Sequence, residues 1–268
     1  MGSSLEARFN RVGISAQIRK LSQGENEMNI LENKVAAVTG ATGALGRVVV
    51  RTLLEKGAET VVLYRSDAKL AELLEFVGKD FQDKITAVKG DVNDAGSVSD
   101  FIQKAVDKHR RVDFLLNIAG AWAGGKNVAN TDESTWDFMM NANLKSMFLC
   151  CRAVLPFMIK QNYGRIVSVG SRAAVEKRWR AKSAAYAVSK AGVIVLTEAL
   201  AEEVKDYNIN VNCILPSTID TPANRRDFPK ADFSKWVNPK DIAEVIVFLL
   251  SDKSEVISGA SVPVYGKA

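Results

Sequence analysis

Apolar residues in this chain fall into short continuous blocks, separated by longer stretches in which they recur with helical spacing. The first block, Val35–Thr39, runs through a Gly-rich turn into an amphipathic helix predicted over about 45–56. Thr60–Tyr64 follows as a second strand, then a helix opened by Ser66 or Asp67. Ile85–Lys89 predicts a third strand, and 95–109 a helix capped by Asn93 or Asp94. Val112–Ile118 is the fourth block, and a long helical region covers about 132–161. Arg165–Val169, a helix over about 184–206 and Asn210–Leu215 continue the alternation. Asn238-Pro239 places a cap and an N1 proline before a helix over 240–250, and Ala260–Tyr265 closes with a last strand. Strands alternating with helices of this length require right-handed crossovers. The expected fold class is therefore α/β, with a doubly wound parallel sheet and helices on both faces.

At 268 residues, 47% hydrophobic and 25% charged, the chain has the composition of a globular protein. Its length suits one large α/β domain or two small ones. No internal repeat or linker divides it, so 28–268 is read as a single domain. A net charge of +5 is compatible with phosphorylated ligands but is too small and dispersed to argue for nucleic acid. Cys150, Cys151 and Cys213 have no metal-ligand spacing and sit in apolar stretches, so buried thiols in a reducing, cytoplasmic setting are expected. His109 is the only histidine, which argues against a His-based triad and any His-rich metal site. No apolar run reaches the ~20 residues that span a bilayer, so no membrane association is expected. Residues 1–27 stand apart: Arg8, Arg11, Arg19 and Lys20 lie among Gly, Ser, Asn and Gln, without the apolar core of a secretory signal. They are read as an appended extension, a weak targeting sequence or a mobile arm, with Met28 as an alternative start.

Two segments carry chemistry. Tyr186-Ala-Val-Ser-Lys190 sets a phenol and an ammonium four apart, on one face of a predicted helix. A neighbouring cation favours the phenolate and is expected to pull the Tyr186 pKa down, which would let it exchange a proton with a substrate oxygen. A solvated helical face is the alternative for the pair alone. Thr39-Gly-Ala-Thr-Gly-Ala-Leu-Gly46 lies where the first strand meets the first helix. Glycines there permit a tight turn and close approach of a pyrophosphate to the helix N-terminus.

Taken in order over residues 33–266, these motifs resemble the short-chain dehydrogenases/reductases, single-domain enzymes of the Rossmann type. Gly40 and Gly46 match the family's first and last motif glycines, with Thr42, Gly43 and Leu45 between them implied on the cofactor. The usual middle glycine is Ala44 here, preceded by Gly43. Asp91-Val92 resembles the pair that holds the adenine, and Asn117-Ile-Ala-Gly120 the run, including Ala119, that lies against the cofactor. After the second strand stands Tyr64-Arg65-Ser66, where a carboxylate would select a ribose hydroxyl. Arg65 suits a 2′-phosphate, so NADP(H) is favoured with NAD(H) possible; an exposed loop charge is the alternative.

The resemblance also implies a working group of four. Asn143 matches a helix-bending Asn that holds a water in a proton relay, and Ser171 a hydroxyl that orients a substrate carbonyl. Tyr186 would protonate the oxygen as hydride is delivered, while Lys190 lowers the Tyr pKa and binds ribose hydroxyls. Ser168 and Ser183 are fallbacks for Ser171. Ile219 and Thr221 match positions that contact the carboxamide. Pro216-Ser217 replaces the usual Pro-Gly, and the end reads Val-Tyr-Gly (264–266) rather than Val-Asp-Gly-Gly.

On the substrate side, 119–125 and the segments 220–225 and 231–236 resemble loops of dihydropteridine reductases. Trp122 would there stack on a planar ring, or else merely pack the loop. Four cations in Glu176-Lys-Arg-Trp-Arg-Ala-Lys182 suit an acidic acyl thioester, or are solvated loop charge. The leading expectation is an NADP(H)-dependent reductase of a carbonyl or quinonoid ring in a small molecule. The alternatives are a 3-oxoacyl-thioester reductase and a non-enzymatic nucleotide sensor. The resemblance further implies a homodimer or homotetramer built on the helices over 132–161 and 184–206.

Overall fold

Seven parallel strands run in the order β3-β2-β1-β4-β5-β6-β7 in the computed structural model, which describes residues 29–267. They are β1 (Val35–Thr39), β2 (Glu59–Tyr64), β3 (Ile85–Lys89), β4 (Phe114–Asn117), β5 (Gly164–Val169), β6 (Ile209–Pro216) and β7 (Ser261–Val264). The expectations for 1–27, including Met28 as a start, lie outside the described residues. The inner strands are apolar runs with both faces covered, so β1 and β6 are buried along their whole length, while the edge strands β3 and β7 are only partly buried.

On one face α1 (Ala44–Glu55) and α8 (Pro239–Leu250) pack through Val49, Leu53, Ile242 and Ile246. On the other, α3 (Ala95–His109), α5 (Ser146–Gln161) and α6 (Ala184–Glu203) pack through Phe101, Cys150, Val154 and Val193. Helix α2 (Asp67–Val77) is capped by Ser66, whose side chain accepts from the Lys69 N–H, and α3 by Asp94 rather than Asn93. The strand order reverses between β1 and β4, and in such a sheet ligands bind at the carboxyl ends beside that switch point.

Three expectations change. The helical region over 132–161 is interrupted: α4 (Glu133–Met140) passes through a π-helical turn at Asn141–Lys145 before α5 begins. The wider turn carries Asn143 to the inside, 2% exposed. The fourth strand is shorter than Val112–Ile118, because only Phe114–Asn117 pairs in the ladder. The membrane argument from run length also fails as stated, since Glu133–Gln161 and Ala184–Glu203 are long and apolar enough to cross a bilayer. In this fold α5 and α6 pack on the sheet, and α6 buries Lys190 within its span.

Candidate active site

The β1–α1 turn needs its glycines for space as well as for conformation. Gly40 has φ +68°, and a Cβ there would lie 2.5 Å from the Ala119 N. A Cβ on Gly46 would lie 2.0 Å from the Gly40 carbonyl oxygen. Backbone forms the wall at both positions, so no rotamer change relieves a clash. Gly43 is the N-cap of α1 and makes no side-chain cap, which leaves the first-turn N–H groups open to an anion. Ala44, at the usual middle-glycine position, is the first residue of that helix. The turn is closed by Gly43 N–H donating to Gly40 O (3.0 Å), and the Ala119 N–H donates to Thr39 Oγ1 (3.4 Å). This cradle, with Thr42 and Leu45 in it, fits a dinucleotide's phosphates.

Along the same edge, Arg65 leaves the end of β2 exposed and, among the described residues, forms no ion pair. The nearby carboxylate Asp67 is engaged: Lys89 Nζ donates to it at 2.5 Å and holds its carboxyl below the usual range. This ion pair, two residues on from Arg65, escaped the sequence reading. Asp91 Oδ1 accepts from the Asn93 N–H (2.9 Å) and fixes the turn after β3, with Val92 packed on the core. Asn117 ends β4 and donates to Ser168 Oγ (3.1 Å).

At the other side of the switch point, Asn143 and Lys190 meet over Gly120. A Cβ on Gly120 would lie 2.7 Å from Asn143 Oδ1 and 3.3 Å from Lys190 Nζ. Asn143 accepts from the Ala121 N–H (2.9 Å) and donates to Ala121 O (3.0 Å) and Ser189 Oγ (3.0 Å). Lys190, 5% exposed, donates to Val169 O at 2.7 Å, and burial depresses its pKa to about 8. Ser171 hydrogen-bonds to Tyr186 and accepts from the Ala173 N–H (3.2 Å). The two fallback serines are placed otherwise. Ser168 receives Asn117, and Ser183 donates to Trp179 O (3.0 Å).

One expectation about this group is overturned. Burial raises the Tyr186 pKa, and the hydrogen bond from Ser171, rather than Lys190, opposes the rise. The Lys190 ammonium donates to the Val169 carbonyl, and desolvation of the phenolate is the largest influence on Tyr186. Ser189 and Val169 also escaped the sequence reading; Ser189 is legible only as the residue before Lys190.

The substrate-side segments border this centre. Trp122 is 60% exposed, its ring edge against Gly124, and the Gly125 N–H donates to Lys182 O (2.7 Å). Ile219 bridges Val237, and Thr221 is buried as the N-cap of α7 (Pro222–Asp227), its Oγ1 accepting from the Asn224 N–H (3.2 Å). Of the four lip cations, Arg180 donates to Ala173 O and Ala174 O, and Arg178 pairs with Glu176 (3.1 Å). Lys177 and Lys182 remain exposed.

The 3-oxoacyl-[acyl-carrier-protein] reductase FabG of Thermotoga maritima is 32% identical over 244 residues, covering 88% of this chain and 98% of that enzyme. The subunit BbsD of (2S)-[(R)-hydroxy(phenyl)methyl]succinyl-CoA dehydrogenase of Thauera aromatica is 32% identical over 88% of this chain and 96% of that protein. The crystal structure of levodione reductase superposes with a TM-score of 0.82 at 25% identity, over 88% of this chain and 97% of that one. The family model described as short chain dehydrogenase matches residues 34–232. With this sheet and this match, the chain belongs to the short-chain dehydrogenase family and is an oxidoreductase.

Proposed function

We propose that this protein reduces a carbonyl of a small molecule using NADP(H), with Tyr186 as the proton donor. The observation that carries this reading is a pair of pairings, Asn143 with Lys190 over Gly120 and Ser171 hydrogen-bonded to Tyr186, the two joined by the one-turn spacing of Tyr186 and Lys190 on α6. When bound, the nicotinamide nucleotide supplies the hydride. The Gly40–Gly46 cradle would hold its phosphates, Asp91 and Val92 its adenine, and Asn117, Ala119 and Gly120 its inner edge. Ile219 and Thr221 would meet the carboxamide. Ser171 orients the substrate oxygen, Tyr186 gives it a proton, and Asn143 with Lys190 continues the proton path inward. The three buried free thiols suit the reducing cytoplasm.

Cofactor choice rests on Arg65. Arg65→Glu is expected to weaken NADPH affinity by about tenfold to a hundredfold, the worth of one or two charge-assisted hydrogen bonds, and to spare NADH. Steady-state oxidation of the two nucleotides by wild type and variant checks this, and a wild-type preference for NADH would sink it. The same assay, run with a diketone, a quinone, a quinonoid dihydropterin and an acetoacetyl thioester, sorts the substrate. A second reading, 3-oxoacyl-thioester reduction, is supported by the FabG relative and by exposed Lys177 and Lys182. Arg178 and Arg180, occupied internally, do not add to it.

The outer faces of α5 and α6 leave Phe148 (45%) and Val195 (63%) exposed beside Leu144 and Gly192, a shallow apolar groove suited to a second copy of the chain. Val195→Arg is expected to lower the mass seen by light scattering from dimer or tetramer to a smaller species. An unchanged mass would remove this face from the assembly.

A further inference from the structure

Two of the places where the chain departs from its family's pattern, Ser217 and Tyr265, meet each other and the residue after Ser171. The Ser217 hydroxyl donates to Tyr265 O (2.8 Å), and the Ser217 N–H donates to Val264 O (3.2 Å). The Tyr265 ring lies 4.5 Å from the Arg172 guanidinium, which also lies 5.5 Å from the Trp179 ring. Arg172 is only 7% exposed and donates to Glu176 at 2.8 Å. Beyond Tyr265, the Lys267 N–H donates to Lys235 O (3.2 Å), so the C-terminal segment also grips the end of the 217–237 loop.

We propose that Tyr265, held by Ser217 and stacked on Arg172, is a positioning residue that locks the two walls of the substrate pocket together and sets Ser171 against Tyr186. This rests on the function proposed above. Arg172 follows Ser171 directly, and Ser171 Oγ caps the short turn Arg172–Ala174. Arg180 holds the far end of that turn through Ala173 O and Ala174 O. The lip then ends at Lys182 in a left-handed conformation (φ +61°), which a lysine keeps only where its surroundings enforce it. Its carbonyl accepts from the Gly125 N–H in the Trp122 loop. The lip is therefore fixed at three places, and the stack on Tyr265 is the one that reaches the C-terminal segment. A glycine at 217 has no hydroxyl for Tyr265 O, and an aspartate at 265 has no ring for Arg172.

The test compares Tyr265→Ala, Tyr265→Phe and Ser217→Gly in the full-length protein, reading tryptic cleavage within 175–183 and steady-state kinetics. Tyr265→Ala is expected to speed cleavage at exposed Lys177 and Lys182 by about tenfold, the mark of easier local opening. It is also expected to lower kcat more than it raises KM, with nucleotide affinity held within about twofold. Tyr265→Phe keeps the ring and should behave as wild type in both readouts. Wild-type cleavage and kcat in Tyr265→Ala would overturn the proposal, as would Tyr265→Phe failing alongside it. If Tyr265→Ala gives no cooperative melt, Ser217→Gly decides through the same cleavage, and wild-type protection there overturns the proposal. Proteolysis needs no substrate, so it judges the clamp even if retained turnover in Tyr186→Phe defeats the functional reading.

Discussion

Tyr186→Phe is expected to lower kcat/KM for carbonyl reduction by about 10²–10⁴-fold, the usual worth of a positioned general acid, while nucleotide affinity stays near wild type. The substitution removes one hydroxyl and keeps the ring, so the volume filled on α6 is preserved. What goes is the proton, and with it one partner of Ser171. Because burial holds the phenol above its ordinary pKa, the protonated donor is present at neutral pH and reduction should fall only on the alkaline side. Ser171 is the group that opposes the rise, so Ser171→Ala should move that alkaline limb to still higher pH as well as slow turnover. Stopped-flow and steady-state rates across pH check both statements. Full turnover in Tyr186→Phe would remove Tyr186 from the chemistry. A limb that moves to lower pH in Ser171→Ala would contradict the hydrogen bond's sense.

The inner strands were legible because they are apolar runs that a doubly covered sheet demands, and both β1 and the half-exposed edge strand β3 begin and end where the pattern places them. The break at Asn141–Lys145 was not legible as an element. A π-helical turn inserts one residue without a Gly or Pro to mark it, and only the resemblance pointed to Asn143 as a bend. Val112 is fully buried yet pairs with no strand, so burial alone overextended β4. Local spacing put Tyr186 and Lys190 on one helix face, but the direction of the ammonium depends on the Val169 carbonyl, 21 residues away in another element. The same holds for Ser171 over Ser168 and Ser183. All three hydroxyls are buried, and only the packing of β5 and the lip against α6 decides which one meets Tyr186. Tyr265 and Ser217 were visible only as departures from a pattern. Their meeting is a tertiary fact.

Lys190→Met is expected to abolish most activity and yet to make the protein more stable at neutral pH. Folding takes the Lys190 ammonium out of water, and its pKa falls from 10.5 to about 8. At about 1.4 kcal/mol per pH unit, that drop is a folding penalty of roughly 3 kcal/mol. The depressed value means that the unfolded chain binds the proton more tightly. The penalty is therefore fully present below pH 8, fades as pH rises towards 10.5, and is absent above it. Methionine fills similar volume and carries no charge, but it leaves Val169 O without the donor it has at 2.7 Å, which gives back about 1–2 kcal/mol. The net expectation at pH 7 is a gain of about 1–2 kcal/mol, seen as a rise of a few degrees in Tm. Urea unfolding of wild type and variant at pH 7 and pH 10 checks the sign and the slope: the advantage should shrink or reverse at pH 10. A variant that is less stable at pH 7, or whose difference from wild type ignores pH, would show that the buried ammonium is paid for by contacts stronger than its single carbonyl. The site would then be one that evolved with little conflict between holding a charge and staying folded.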